Sequence, residues 1–171
     1  MANILLTGNP RSGKSTLLER VVSEIDNKIG FLTQEIREGN QRVGFEVVTY
    51  DGHQMVLAHK DMKSKYRISK YGVNVSAFNE FVVPYLNFKK GNTLYLDKIG
   101  EMQLFAPKFR QLVSRYLNSK NHLVATISQV YSSLYTDLIK SRSDVQLVGI
   151  TPQNRDEKYY KVKKLLKSNL L

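Results

Sequence analysis

GNPRSGKS, at residues 8–15, is the most informative stretch of this 171-residue chain. It matches the phosphate-binding pattern G-x-x-x-x-G-K-[ST] at every position. The apolar run at residues 3–7 before it is typical of a buried strand, and residues 15–22 after it repeat apolar side chains at helical spacing. Because the pattern requires a strand before the loop and a helix after it, the sequence predicts a site for a nucleoside triphosphate.

Each residue type in this loop has a chemical role toward phosphate. Glycines let the backbone curl so that successive N–H groups point at phosphate oxygens, and the helix N-terminus adds a partial positive charge. Lys14 is expected to reach the β- and γ-phosphates, and the hydroxyl of Ser15 to ligate Mg²⁺. The predicted nucleotide-binding residues of the loop are Gly8, Asn9, Pro10, Arg11, Ser12, Gly13, Lys14, Ser15 and Thr16.

The composition limits the class of protein. With 171 residues, of which 42% are hydrophobic and 24% charged, we expect one globular domain over residues 1–171. No apolar run is long enough to cross a bilayer, and the N-terminus lacks the pattern of a signal peptide. The chain has no cysteine, which excludes disulfides and thiolate metal sites. We expect a cytoplasmic monomer without membrane attachment.

The net charge of +11 leaves two interpretations open. A positive field can steer anionic nucleotides to their site, or clustered cations can neutralise the backbone of a nucleic acid. The cations concentrate at residues 60–70 and at residues 158–167, and a solvated helix face accounts for the second cluster. We therefore keep nucleic acid as a secondary partner beside nucleoside triphosphates.

Strand and helix patterns alternate along most of the chain. They predict an α/β fold, a three-layer sandwich with a mostly parallel sheet whose ligand crevice lies at the carboxyl ends of the strands. A β-hairpin over residues 29–50 interrupts the alternation, and residues 59–72 show no period and are expected to form a loop or flap. Further strands are predicted at residues 93–97, 122–127 and 145–150, and helices at residues 76–88, 105–117, 132–140 and 158–167.

Asp97 follows the apolar strand pattern at residues 93–96. A carboxylate at the end of such a strand is the expected partner of the phosphate-binding loop, where it holds Mg²⁺, usually through a water molecule. Asp97 is therefore predicted as a metal-binding and catalytic residue.

Longer segments carry a resemblance to a known family. In chain order they are GFLTQEIREG (30–39), RVGF (42–45), YGV (71–73), DKIGEMQLF (97–105), ATI (125–127) and TPQNRD (151–156). Together they resemble the small nucleoside-triphosphatase family first characterised in thermophiles, whose animal member is called cancer-related nucleoside-triphosphatase. The resemblance covers nearly the whole chain. It implies a P-loop NTPase fold similar to nucleotide kinases and Mg²⁺-dependent hydrolysis of ATP, GTP and other nucleoside triphosphates.

The chain departs from this family in its second motif. The family reads Asp-Glu-Ile-Gly-Lys-Met-Glu, whereas this chain has Lys98, Glu101 and Gln103 at the second, fifth and seventh positions. The family's acid after the aspartate commonly orients or deprotonates the attacking water, and a charged lysine cannot accept that proton. Lys98 could instead stabilise charge on the γ-phosphate. We therefore expect secure nucleotide binding and weakened turnover.

Two other carboxylates could activate water. Glu101 lies three residues beyond the expected position, and Glu35 matches an acid in the family's hairpin segment. Arg37 is a candidate for stabilising charge in the transition state, as is Arg42. For these hairpin residues the alternative is an exposed ion pair of small energetic value.

Three further residues are predicted to contact the nucleotide: Gly100 in the second motif, and Asn154 and Arg155 after the last strand. Asn154 and Arg155 could contact the base or stack on it, or they could simply begin a well-capped helix. Two functions compete with hydrolysis: phosphate transfer to another hydroxyl, and nucleotide binding with little turnover.

Overall fold

A computed structural model describes residues 2–167. The single domain predicted over residues 1–171 also includes residue 1 and residues 168–171, which lie outside the described range. The strands are β1 (Asn3–Thr7), β2 (Lys28–Glu38), β3 (Gln41–Thr49), β4 (Gln54–His59), β5 (Arg67–Ile68), β6 (Tyr71–Val73), β7 (Thr93–Ile99), β8 (His122–Ile127) and β9 (Val145–Gly149). The helices are α1 (Lys14–Ser23), α2 (Val75–Ala77), α3 (Glu101–Leu104), α4 (Pro107–Asn118), α5 (Leu134–Lys140) and α6 (Arg155–Lys167).

All these strands form one sheet in the order β5-β6-β4-β3-β2-β7-β8-β1-β9. The half from β2 to β9 is parallel, and the half from β2 to β5 is antiparallel. Strand β2 belongs to both halves, because its first residues pair with β7 and its later residues extend beyond the parallel sheet to pair with β3.

Both faces of the parallel half are buried. Along β1, Ile4 and Leu6 pack in one core cluster with α1 and α6, whereas Leu5 lies in the other cluster with α4. The same alternation places Tyr95 of β7 opposite its neighbours Leu94 and Leu96. Two helical layers thus enclose a sheet, which confirms the predicted α/β sandwich. Within residues 2–167, no helix combines the length and hydropathy needed to cross a bilayer.

The antiparallel half is larger than the single hairpin that the sequence predicted. Strand β4 was not predicted, and residues 59–72, expected to be a loop, contain β5 and β6. Strands of two and three residues are too short to show the period-2 pattern. The sheet is consequently mixed, with as large an antiparallel part as a parallel one.

The helix predicted at residues 76–88 is broken. Its place is taken by α2, a π-helical turn at Phe78–Val82 and a 3₁₀ turn at Val83–Leu86. Pro84 explains the break, because it lacks the N–H that an α-helix needs there and its ring clashes with the preceding turn. The apolar side chains at helical spacing still reach the core: Phe78, Val82 and Leu86 are buried.

Candidate nucleotide-binding site

The loop at residues 8–13 connects β1 to the first turn of α1, as predicted. Gly8 has φ 153°, and a Cβ there would lie 2.4 Å from the carbonyl oxygen of Ile150. Gly13 caps α1 with φ 98°, and Arg11 takes the left-handed conformation with φ 63°. Glycine is the residue that accepts such backbone at low cost, so the two glycines fix the curl of the loop.

Lys14 lies inside this curl. Its Nζ donates hydrogen bonds to the carbonyl oxygens of Gly8 at 2.8 Å and Asn9 at 2.9 Å. Partial burial lowers the pKa of Lys14, the charge of Lys98 lowers it further, and Asp97 opposes both. Lys14, Lys98 and Asp97 therefore influence one another electrostatically at the mouth of the loop.

Asp97 is 3% exposed and joins the loop to the neighbouring strands. Its Oδ1 accepts hydrogen bonds from Ser15 Oγ at 3.2 Å and from Thr126 Oγ1 at 2.8 Å, and its Oδ2 accepts from Thr33 N at 3.4 Å. Burial raises the pKa of Asp97, and the bonds from Thr126 and Ser15 act in the opposite direction. The predicted metal-binding pair, Ser15 and Asp97, is thus brought together from α1 and β7.

Two buried polar atoms stand out because they have no hydrogen-bond partner: Ser12 Oγ and Gln103 Oε1. No other buried side-chain polar atom of residues 2–167 lacks a partner, and both of these lie beside the nucleotide site. Ser12 belongs to the phosphate-binding loop, and Gln103 is a 1% exposed residue of α3, which follows the Asp97 strand. Unsatisfied buried polar atoms are rare in folded proteins, so these two indicate a place where a ligand or water completes the bonding.

A cavity of about 160 Å³ lies between the end of β7 and the antiparallel strands, and Thr33, whose N–H donates to Asp97, is part of its lining. Its lining includes Thr33, Lys98, Gly100, Glu101, Gln103 and Tyr131. Although Lys98 and Glu101 both line it, no ion pair joins them within residues 2–167. The cavity wall requires a glycine at position 100, because a Cβ there would lie 2.8 Å from Lys98 Cγ and 3.0 Å from Gln103 Oε1.

Gln103 is the functional candidate that the sequence analysis missed. In the sequence it is a departure from the family motif without a predicted role. The signal that could have found it is its spacing of three residues from Gly100 in that motif. Only the fold reveals that its amide oxygen is both buried and unpaired.

The structure places Glu35 on the extended, antiparallel part of β2. Its carboxylate is bound by Arg37 at 2.7 Å and by Arg42 at 3.2 Å, and all three side chains are exposed. Burial pushes the pKa of Glu35 upward, but the bonds from the two arginines outweigh it and hold the pKa below its usual value. A carboxylate with a low pKa is a weak general base, so this arrangement disfavours a role for Glu35 in activating water.

The two residues after β9 differ in their contacts. Asn154 closes the turn into α6: its Oδ1 accepts from Thr151 N at 2.8 Å and its Nδ2 donates to Gly149 O at 3.1 Å. Arg155 instead lies over the phosphate-binding loop, since a Cβ on Gly13 would be 2.4 Å from Arg155 Cδ. The helix-start interpretation therefore fits Asn154, and the nucleotide-contact interpretation fits Arg155. Pro10 and Thr16 are exposed at the edge of the loop and at the first turn of α1.

This geometry agrees with comparisons with known proteins. Residues 3–163 match the profile of the NTPase family. The chain belongs to this nucleoside-triphosphatase family. It is 36% identical over 168 residues to the nucleoside-triphosphatase THEP1 of Thermotoga maritima, covering 97% of this chain and 96% of the relative. It is 30% identical over 172 residues to the cancer-related nucleoside-triphosphatase homolog of Mus musculus, covering 90% of each.

Two solved structures of nucleoside-triphosphatases share the fold. The crystal structure of THEP1 from Aquifex aeolicus superposes with a TM-score of 0.88 at 34% identity, covering 96% of this chain and 99% of that one. The solution structure of a human cancer-related nucleoside triphosphatase superposes with a TM-score of 0.84 at 26% identity, covering 100% of both chains. The family resemblance and the P-loop fold are thereby confirmed.

Proposed function

We propose that this protein hydrolyses nucleoside triphosphates, ATP and GTP among them, to the diphosphate and inorganic phosphate with Mg²⁺. The observation that carries the proposal is the approach of Ser15 Oγ to Asp97 Oδ1 at 3.2 Å beside the ammonium group of Lys14. These three groups are the hydroxyl, carboxylate and cation that P-loop NTPases use around the β- and γ-phosphates.

The donor set suits Mg²⁺. The ion prefers oxygen ligands and is commonly held by one or two carboxylates together with substrate phosphates and water. Ser15 and Asp97 would supply the protein oxygens, and residues 2–167 contain no cluster of three or more histidines and carboxylates that would form an all-protein cage. Bound there, the ion would neutralise charge on the phosphate oxygens.

The loop residues bind and orient the substrate. Backbone N–H groups of the curl between Gly8 and Gly13 point at the phosphates, and Lys14 exchanges its bonds to the loop carbonyls for γ-phosphate oxygens. The unpaired hydroxyl of Ser12 gains a partner in the same step. Arg155, lying on Gly13, reaches the nucleotide from the α6 side.

Gln103 positions the attacking water. A water in the cavity beside Asp97 can donate a hydrogen bond to the unpaired Gln103 Oε1, which fixes the direction of its lone pair. An amide oxygen orients water without accepting its proton, so that proton ends on the released phosphate, and the bond from the γ-phosphorus to the β–γ bridging oxygen breaks. Lys98, which has no carboxylate partner among the described residues, stabilises the γ-phosphate charge from the cavity side.

The test is phosphate release from ATP and GTP by the wild-type protein and by its Lys14→Ala variant, each with Mg²⁺ and with excess chelator. We expect release from the wild type with Mg²⁺ and none above background in the other three conditions. Nucleotide binding by the wild type without release would contradict hydrolysis and favour the binding-only alternative.

One observation favours phosphate transfer as a second candidate. The cavity of about 160 Å³ is larger than one water molecule requires, so a hydroxyl of another molecule could enter it. Transfer of labelled phosphate from ATP to an added nucleoside, nucleotide or RNA 5′ end, faster than phosphate release, would replace the hydrolytic assignment.

A cytoplasmic location and a monomeric state stay predictions. The lack of cysteine is consistent with a reducing compartment, although it does not require one. Light scattering over a tenfold concentration range would test the monomer, since a mass above one chain would contradict it.

A further inference from the structure

We propose that residues 60–70, named here the basic flap, bind the sugar–phosphate backbone of single-stranded nucleic acid beside the catalytic cavity. The basic flap includes β5 and lies at the outer edge of the antiparallel sheet. The proposal does not depend on nucleoside triphosphate hydrolysis, because it concerns a surface that contributes nothing to the phosphate-binding loop.

The charge of the basic flap is left unneutralised. Its five cations are Lys60, Lys63, Lys65, Arg67 and Lys70, and all of them are exposed. None lies within 4.0 Å of a carboxylate of the described chain. The flap's single acid, Asp61, approaches His59. Polyanions gain most from such sites, because binding releases the counterions condensed on their phosphates.

The second basic cluster, on α6, differs in this respect. Lys163 pairs with Glu24 at 2.6 Å, and Lys158 approaches Glu157 at 3.7 Å. The helix also carries Asp156, which pairs with Arg20. The basic flap therefore presents more net positive charge per residue than α6 does, and α6 provides a natural control.

The basic flap also has a preformed shape. A depression of about 360 Å³ is lined by cations, hydroxyls and an amide from Lys63, Ser64, Lys65, Tyr66, Asn74 and Ser76, together with the apolar residues Met62, Val73 and Val75. Its floor is tied together because Ser64 Oγ donates to Val73 O at 2.8 Å and Val73 N donates to Tyr66 O at 2.9 Å. A backbone held in this way lowers the entropy lost when a phosphate binds beside it.

The basic flap reaches the catalytic cavity. Ile68 of β5 lines that cavity together with Lys98, and the ring of Tyr66 packs on Phe105 with centroids 5.1 Å apart. A nucleic-acid strand on the flap would thus pass the entrance of the site where the γ-phosphate is expected. Lys65 Nζ lies 5.2 Å from the centroid of the Tyr66 ring, and cations beside aromatic rings are typical of surfaces that bind single strands.

Nucleic acid fits this surface better than a membrane does. Binding in a membrane interface needs apolar side chains that insert beside the cations. The large exposed hydrophobic residues of the described chain all lie outside residues 60–70. The flap offers cations without a large exposed hydrophobic side chain that could insert into a membrane, which is the pattern of a surface that contacts phosphates.

The test measures binding of a fluorescein-labelled 15-nucleotide single-stranded RNA by anisotropy at several salt concentrations, without nucleoside triphosphate. Two variants remove the same charge: Lys63→Gln/Lys65→Gln in the flap, and Lys161→Gln/Lys164→Gln on exposed positions of α6. We expect Kd to rise about tenfold in the flap variant and less than about twofold in the control. The slope of log K against log salt should fall by about 1.4 in the flap variant, because each phosphate contact on a single strand contributes about 0.7.

Phosphate release and the unfolding midpoint, measured on both variants, report whether the fold is intact. Equal weakening in the two variants would overturn the proposal, because it would mean that net charge alone attracts RNA. Equally tight binding of polyglutamate of the same charge, or of vesicles rich in anionic lipid, would also overturn it. If RNA binding fails while phosphate release persists, the flap proposal fails and the hydrolytic proposal stands.

Discussion

The parallel and antiparallel halves of the sheet differ in what they bury. In the parallel half, β1, β7 and β8 are buried on both faces, and at their carboxyl ends Asp97 accepts hydrogen bonds from Thr126 and Ser15. In the antiparallel half, the extended end of β2 and the basic flap carry exposed charges, and the Glu35 carboxylate is held by arginines. Taken together, our two proposals assign the phosphate chemistry to the carboxyl ends of the parallel strands and the contact with nucleic acid to the antiparallel half.

The largest effect is expected from Lys14→Ala, in the parallel half. Lys14 is the partly buried cation inside the loop, so its loss leaves the γ-phosphate charge uncompensated in the transition state. Phosphate release should fall by about a hundredfold or more, measured at saturating nucleotide and Mg²⁺. If phosphate release falls by less than about threefold and the unfolding midpoint is unchanged, the phosphate-binding loop does not take part in hydrolysis.

Gln103→Leu should lower kcat by about thirtyfold with little change in KM, because the attacking water loses its orientation while the nucleotide keeps its contacts. The variant should be as stable as the wild type or more stable, since it replaces an unsatisfied buried acceptor by an apolar group of similar size. Gln103→Glu is the matched control, because it keeps the acceptor and should retain activity. Equal losses of activity in both variants would assign Gln103 a packing role only.

The parts of the fold that sequence could predict are those fixed by local patterns. The phosphate-binding loop requires a strand and a helix beside it, and β7, β8 and α4 have strong apolar periods. β4 pairs with β3 across a short turn, but its sequence QMVLAH has an unbroken apolar run in place of an alternation. β5 and β6 also form a local hairpin, and with two and three residues they are too short to show a period. The break in the helix at residues 76–88 depends on one proline.

The candidate site divides in the same way. Lys14, Ser15 and Asp97 belong to motifs with fixed spacing, so the sequence could place them together before their geometry was known. For Glu35 and Arg37 the sequence left two interpretations open, a catalytic role and an exposed ion pair. In the structure they form the ion pair. The position of Gln103 in the site could not be predicted, because it depends on the direction in which α3 leaves Gly100.

Lys98→Glu should raise phosphate release about tenfold or more at saturating nucleotide, because the gain from an acid that accepts a proton from water outweighs the lost stabilisation of the γ-phosphate charge. The charge of Lys98 lowers the pKa of Lys14, so removal of that charge should also raise the pKa of Lys14. Lys98→Met separates the two effects, since it removes the cation without adding a base. If Lys98→Glu is folded and no faster than the wild type, the missing acid does not limit turnover.

The smallest effect is expected from Glu35→Gln, in the antiparallel half. Its carboxylate is held by two arginines at the surface, so kcat should change by less than about threefold. Glu80→Gln is the matched control, because Glu80 forms a comparable exposed ion pair with Lys108 at 2.7 Å. A fall of tenfold or more in Glu35→Gln alone would place catalysis in both halves of the sheet and end the division between them.

The same variant has a defined dependence on pH. The arginines hold the pKa of Glu35 below its unfolded value of about 4.5, so they stabilise the folded protein above that pH. Because the pair is exposed, Glu35→Gln should lower the free energy of unfolding by less than about 1 kcal/mol at pH 7. The difference should vanish as the pH falls through the lowered pKa, where wild-type Glu35 is protonated and as uncharged as glutamine. Urea unfolding at a series of pH values from 7 downward measures this, and a difference that does not decrease with pH would mean that Glu35 stabilises the hairpin by packing rather than by charge.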